Sequence, residues 1–233
     1  MNVVITGASR GIGKAIAEVY AQQGHNLWLV ARNEGTLLAT AEELRTAYPT
    51  IRVEARAFDL GEKRAAQLCG EWIITNADAV DVLVNNAGTF TPGNVSDEPD
   101  GALEAMLDVN LFSAYHLTRS LLPKMMAART GHIFTVCSIA GLQAYPGGGS
   151  YSISKFALIG FTKNLRQELK EHGIKVTAVI PGAIYTDSWK GSGIAEDRIM
   201  QPSDIAALVY TASRLSPAAT VEEIVIRPQL GDL

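Results

Sequence analysis

The sequence predicts an α/β fold in three layers, with helices covering both faces of a mostly parallel seven-stranded sheet. Seven short apolar or β-branched runs alternate with longer stretches whose apolar residues recur at helical spacing. The runs are nearly all apolar rather than alternating, so both faces of the sheet need cover, and the intervening helices provide it. Proline and glycine clusters follow several of the runs, where strand-to-helix connections must turn.

In chain order the expected strands are Asn2–Thr6, Asn26–Ala31, Ile51–Ala57, Val80–Val84, His132–Cys137, Lys175–Ile180 and Glu223–Ile226. Helices are expected at 12–23, 34–47, 62–76, 101–128, 150–171 and 202–213, each with apolar spacing near 3.6. Pro92-Gly93, Pro146-Gly147-Gly148-Gly149 and Pro181-Gly182 all come after strands, which puts them on one edge of the sheet. Parallel α/β sheets bind ligands outside the carboxyl ends of their strands, so that edge is the expected site. No repeat, linker or composition shift divides the chain, and residues 1–233 are expected to form one domain.

Bulk properties narrow the function classes. A chain of 233 residues can bury a core without disulfide or metal, and 47% hydrophobic against 19% charged residues describes an ordered globular protein. A net charge of −4 argues against broad nucleic-acid binding. Cys69 and Cys137 have no CxxC partner, which favours free thiols in a reducing compartment. Met1 to Thr6 runs straight into glycine-rich sequence with no basic leader, and no apolar run approaches the roughly 18 residues of a membrane helix. A soluble cytoplasmic protein is the simplest expectation. His25, His116, His132 and His172 have no close ligand spacing, so no metal site is expected. Trp28 is expected to pack under a covering helix, and Cys137 to behave as a buried small hydrophobe.

Thr6-Gly7-Ala8-Ser9-Arg10-Gly11-Ile12-Gly13 joins the first strand to the first helix. Glycines there allow tight turning and close backbone approach to a pyrophosphate, with spacing GxxxGxG rather than GxGxxG. A carboxylate at the end of the second strand would select NAD by holding the ribose, whereas arginine suits a 2'-phosphate. Here Ala31 is followed by Arg32, and Arg10 offers a second guanidinium, so NADP(H) is preferred over NAD(H) unless Arg32 faces solvent. Asp59-Leu60 follows the third strand, where the carboxylate either accepts from the adenine amino group or caps the helix starting near residue 62. Asn85-Asn86-Ala87-Gly88 can tie neighbouring loops together and let a flat ring lie close.

Tyr151 and Lys155 lie four apart in a helical stretch and share a face. An ordinary phenol is a poor base at neutral pH, and an adjacent ammonium favours its phenolate. Ser138 follows a buried strand, where its hydroxyl can hydrogen-bond an oxygen on which charge develops. Asn110 sits in helical sequence, where a buried amide needs a partner: either its backbone or side chain holds a water near Lys155, or it is a half-exposed helix residue.

With these segments in order along nearly the whole chain, the sequence resembles the short-chain dehydrogenase/reductase family in its short TGxxxGxG form. The resemblance implies a Rossmann-like fold. It implies cofactor contacts at Gly7, Ser9, Arg10, Gly11, Ile12, Gly13, Arg32, Asp59, Leu60, Asn86, Ala87, Gly88, Tyr151, Lys155, Pro181, Gly182, Ile184 and Thr186. It assigns a catalytic tetrad to Asn110, Ser138, Tyr151 and Lys155. A ketone would lie between Ser138 and Tyr151, Tyr151 would give the proton, Lys155 would hold the nicotinamide ribose, and a water at Asn110 would lead to solvent.

The family places a substrate lid after Thr186, where Trp189 is a pocket wall or packs on the lid itself. The tail Val221–Pro228 departs from the family's common glycine-rich ending and resembles the branch of small hydroxy-acid dehydrogenases and sepiapterin-reductase-like enzymes. The leading expectation is a reductase of a small carbonyl compound, or the reverse oxidation. The alternatives are a ketoacyl reductase acting on carrier protein or coenzyme A, and an NADPH-binding regulator without turnover. By resemblance a homodimer or homotetramer forms through the helices near 101–128 and 150–171.

Overall fold

The computed structural model describes residues 1–186, 193 and 195–232. Seven strands form one sheet in the order β3-β2-β1-β4-β5-β6-β7. They are β1 (Asn2–Thr6), β2 (Asn26–Ala31), β3 (Val53–Ala57), β4 (Val82–Asn85), β5 (Gly131–Val136), β6 (Ile174–Pro181) and β7 (Glu223–Ile226). All six pairings are parallel, including Val3↔Val82 between β1 and β4. The chain winds outward from β1 to β3, then returns to the middle and winds the other way from β4. That reversal between β1 and β4 is the switch point beside which open α/β sheets bind ligands. The chain thus folds as one Rossmann-like sheet with helices on both faces.

The helices are α1 (Gly11–Gln22), α2 (Glu34–Ala47), α3 (Lys63–Asn76), α4 (Ala102–Leu107), α5 (Ser113–Ala128), α6 (Gly149–Leu169) and α7 (Pro202–Ser213). Side chains alternate across a strand, and β1 divides accordingly. Val3 and Ile5 join Ile16, Tyr20, Leu37 and Val209 in one buried layer, while Val4 joins Cys69, Ile73, Leu117 and Leu165 in the other. Each of these fully buried aliphatic side chains contributes on the order of 1.5–3 kcal/mol relative to exposure. Trp28 belongs to the second layer with Ala66, Cys69 and Ile73 of α3, as its strand position suggests.

One expected element is corrected. The helix expected over 101–128 is α4 and α5 joined by a π-turn, Asp108–Phe112. A π-turn inserts one residue into the helical ladder without altering the apolar period on either side, so periodicity cannot register it. Strands β3 to β6 also begin or end one or two residues from their expected limits.

Candidate active site

Thr6, the last residue of β1, is the hub of the glycine turn. Its Oγ1 accepts the backbone N–H groups of Asn86 and Ala87, both at 2.9 Å, and donates to Val84 O at 3.3 Å. Asn86 Nδ2 donates in return to Thr6 O at 2.9 Å and Gly7 O at 3.2 Å. The loop after β4 therefore fixes the turn after β1. Gly7 and Gly11 have φ of +65° and +54°, a region glycine enters without strain. Gly13 serves a different need: a Cβ there would lie 2.3 Å from Gly7 O and 2.6 Å from Asn86 Nδ2.

Above this turn opens a cavity of about 680 Å³ across the carboxyl ends of β1 to β4. Gly7, Ser9, Arg10, Gly11 and Ile12 line it from the turn, Arg32 from the end of β2, and Asp59 and Leu60 from the end of β3. Asn86, Ala87 and Gly88 line it after β4, and Thr186 from the far side, with Thr186 Cγ2 3.4 Å from where a Gly11 Cβ would lie. Asp59 does not cap α3, whose N-cap is Glu62; its Oδ1 accepts the N–H of Gly61 at 3.2 Å within the turn. The anticipated Gly13, Pro181, Gly182, Ile184, Tyr151 and Lys155 lie outside this wall. Gly182 donates its N–H to Ile226 O at 2.8 Å, and Ile184 is bridged to Met200.

Sequence reasoning missed Asn33, Thr36, Phe58, Thr89 and Val109, which also line the cavity. Asn33 Oδ1 accepts the N–H of Thr36 at 3.0 Å and caps α2, a role legible in Asn-x-x-Thr before a helical run. That the same residues face the cavity follows only from the pairing of β2 with β1.

On α6, Lys155 is 5% exposed, and its Nζ donates to Val136 O at the end of β5 at 3.1 Å. The same Nζ lies 5.7 Å from the Tyr151 ring centroid, so the two side chains do share a face. A Cβ on Gly88 would lie 3.7 Å from Lys155 Nζ and 3.2 Å from Asn110 Oδ1. Gly88 is thus where the cavity floor meets both residues. Phe90 packs edge-on to Tyr151, with ring centroids 4.8 Å apart at 79°.

Asn110 is 1% exposed, not a half-exposed helix residue, and its side chain is committed to protein. Its Oδ1 accepts the N–H of Thr89 at 2.7 Å, and its Nδ2 donates to Thr89 O at 3.0 Å and Ser154 Oγ at 2.9 Å. Both amide hydrogens are consumed, which removes them from the water-holding role considered for the side chain. Ser154 Oγ donates onward to Tyr151 O at 2.7 Å, connecting the π-turn to the first turn of α6. Ser138 is 9% exposed, and its Oγ accepts the N–H of Ala140 at 3.1 Å. The turn after it is held on α6 by Ser152 Oγ, which donates to Ala140 O at 2.5 Å. A Cβ on Gly141 would meet Lys155 O at 2.6 Å, so that close approach needs glycine.

Burial pushes the Cys137 thiol up to about 11 against the opposing pull of Lys155, and pushes Cys69 up to about 12. Both remain protonated thiols. Among the described residues no group of His, Cys, Asp and Glu could hold a metal ion, and no helix is long and apolar enough to cross a membrane. Trp189 and the rest of 187–192 lie outside the described residues.

This geometry has counterparts. The chain is 32% identical over 225 residues to an uncharacterised oxidoreductase of Staphylococcus epidermidis, covering 97% of this chain and 96% of that one. It is 32% identical over 240 residues to a sepiapterin reductase of Chlorobaculum tepidum, covering 99% and 97%. The solved L-sorbose reductase of Gluconobacter frateurii, complexed with NADPH and L-sorbose, superimposes with a TM-score of 0.89 at 27% identity, covering 97% of this chain and 94% of that one. Residues 1–197 match the family described as short chain dehydrogenase, and the chain belongs to that family of oxidoreductases.

Proposed function

We propose that the chain is an NADP(H)-dependent reductase of a small ketone or other carbonyl compound, with Tyr151 as proton donor. The observation that carries this reading is the Lys155 ammonium, buried, 5.7 Å from the Tyr151 ring and beside Gly88 at the cavity floor.

The residues present fit a dinucleotide. Gly7 and Gly11 line the cavity without side chains where a pyrophosphate would approach, at the start of α1, whose N-terminus has no side-chain cap and favours an anion. Arg10 and Arg32 line the cavity wall with no carboxylate at the end of β2, an arrangement suited to a 2'-phosphate. The NADPH held by L-sorbose reductase supports the same preference. Bound NADPH would supply the hydride, which is the cofactor's own chemistry.

The chain's residues supply orientation and the proton. Ser138 Oγ accepts from Ala140, so its own O–H can donate to a substrate oxygen. Tyr151 donates the second hydrogen bond and then the proton as the carbonyl oxygen gains charge. Lys155, pinned to Val136 O, stabilises negative charge left on the phenol and reaches toward the ribose position beside Gly88. Asn110 holds the Thr89 loop and, through Ser154, the backbone at Tyr151. A homodimer through α5 and α6 belongs to the same proposal, supported by exposed Phe112, Ile153 and Phe156 on or beside those helices.

The test is NADPH oxidation with a panel of ketoacids, diketones, ketoesters, pterins and sugars, using Tyr151→Phe as blank. The variant is expected to bind NADPH as wild type does and to lose turnover by about 10²–10⁴. Near-normal turnover in it would remove the proposed acid.

A further inference from the structure

Helix α6 starts after Gly148, which has no side chain with which to cap it. The cap comes instead from Glu98, on the loop after β4. Its Oε1 accepts the N–H of Ser150 at 2.9 Å, and its Oε2 accepts the Ser150 hydroxyl. Two glycines make room for this carboxylate. A Cβ on Gly149 would lie 2.2 Å from Glu98 Oε1, and one on Gly93 would lie 2.6 Å from Glu98 Cγ.

Two further bonds join the same loops. Gly93 N–H donates to Gly147 O at 3.0 Å, and Gly147 N–H donates to Asn94 Oδ1 at 3.0 Å. The Pro92-Gly93 and Pro146–Gly149 clusters are therefore one latch, closed on the turn just before Tyr151. The other end of the strap is also fixed, because Asn110 holds both backbone groups of Thr89 and Phe90 lies edge-on to Tyr151. Tyr151 is thus gripped from both ends of a single segment, 89–98.

We propose that Glu98 is a positioning residue for Tyr151, latching segment 89–98 onto the first turn of α6 and thereby holding the Phe90 ring against the phenol. The proposal rests on Tyr151 being the proton donor. Glu98 does not line the dinucleotide cavity, so it acts on the presentation of the phenol and not on cofactor binding.

The experiment compares Glu98→Ala, Glu98→Gln, Phe90→Leu and the Glu98→Ala/Phe90→Leu pair, with Tyr151→Phe alongside. Each is assayed with NADPH and the carbonyl of the panel that wild type reduces fastest, and NADPH affinity is measured by fluorescence titration. Displacing a reacting group slightly is costly, so Glu98→Ala is expected to lower kcat about tenfold or more while NADPH affinity moves less than about twofold. Glutamine keeps an acceptor for the Ser150 N–H and a donor for its hydroxyl oxygen, and should restore kcat to within about threefold of wild type. Because both residues act through one contact, the double variant should fall no further than the worse single variant. Ser150→Ala removes only the hydroxyl link and gives a milder loss of kcat, which serves if Glu98→Ala does not fold. Unchanged kcat in Glu98→Ala or Ser150→Ala, equal losses with alanine and glutamine, or additive losses in the double variant would each overturn the proposal. Retained turnover in Tyr151→Phe would instead overturn the assignment of the proton donor.

Discussion

The Nζ of Lys155 donates to the backbone carbonyl of Val136 at 3.1 Å, so the ammonium over the Tyr151 ring is anchored to the end of β5. Lys155→Met keeps the length of the side chain and deletes the charge. It is expected to lower kcat by about 10²–10⁴ and to leave Val136 O unpaired, at about 1–3 kcal/mol in stability. Steady-state kinetics and thermal melts check both. Wild-type kcat in the methionine variant would show that the charge is not needed.

Joint replacement of Arg10 and Arg32 by alanine should separate the two dinucleotides. Each charge-assisted contact to a 2'-phosphate contributes about 1.5–3 kcal/mol, so NADPH affinity should fall about 100-fold or more, with NADH changing far less. Fluorescence titration with each nucleotide gives the answer, and equal weakening of both would undo the 2'-phosphate assignment.

Two glycines should respond in opposite directions to alanine. At Gly13 the new Cβ meets the Gly7 backbone carbonyl at 2.3 Å, and Gly13→Ala is expected to destabilise by about 1–3 kcal/mol and to weaken NADPH. At Gly35, in the exposed first turn of α2, the new atom comes no nearer than 3.7 Å to Asn33 Oδ1, and Gly35→Ala is expected to stabilise by about 0.5 kcal/mol through helix propensity alone. Urea melts rank the three proteins, and a destabilised Gly35→Ala would mean that the first turn of α2 does not tolerate a side chain there.

His132 gives the fold an acid-sensitive point. Its ring stacks on Phe134 at 3.9 Å, and its Nε2 lies 2.7 Å from Thr177 Oγ1. The Thr177 hydroxyl donates to Val221 O at 2.5 Å, so the imidazole carries its hydrogen on Nε2 and leaves Nδ1 buried without a partner. Burial, with a smaller push from Lys175, lowers its pKa to about 3. The unfolded chain takes up the proton near the ordinary value of about 6.5 and the folded chain does not, so stability falls as pH drops through that value. Between about pH 7.5 and pH 5 wild type should lose about 2 kcal/mol more than His132→Gln, as read from urea unfolding at the two pH values. Parallel losses in both proteins would assign the acid sensitivity elsewhere.

The limits of β1, β2 and β7 stand where an apolar run between polar or glycine residues puts them, at Asn2–Thr6, Asn26–Ala31 and Glu223–Ile226. Local chemistry determines such boundaries. Tyr151 with Lys155, and Asn86 with the glycine turn, were also legible, since helical spacing and a strand-end motif bring them together. What sequence could not give depends on pairings between distant segments. Glu98 looks like one more exposed acid until its loop is laid against Ser150, and Thr36 enters the cavity wall only because β2 runs beside β1. The π-turn at Asn110 escaped because one inserted residue leaves the flanking apolar stripe intact.

The bond between Asn86 and the first turn makes a local motif depend on a distant one. Thr6 and Gly7 come early in the polypeptide, yet their carbonyls are held by a side chain that arrives only after β4, the partner of β1 through Val3↔Val82. A nascent chain that stops short of residue 86 carries the whole GxxxGxG sequence without the clasp that shapes it. The native shape of that turn is therefore a property of the paired sheet and not of the local sequence, because the groups that hold it lie about 80 residues further along the chain.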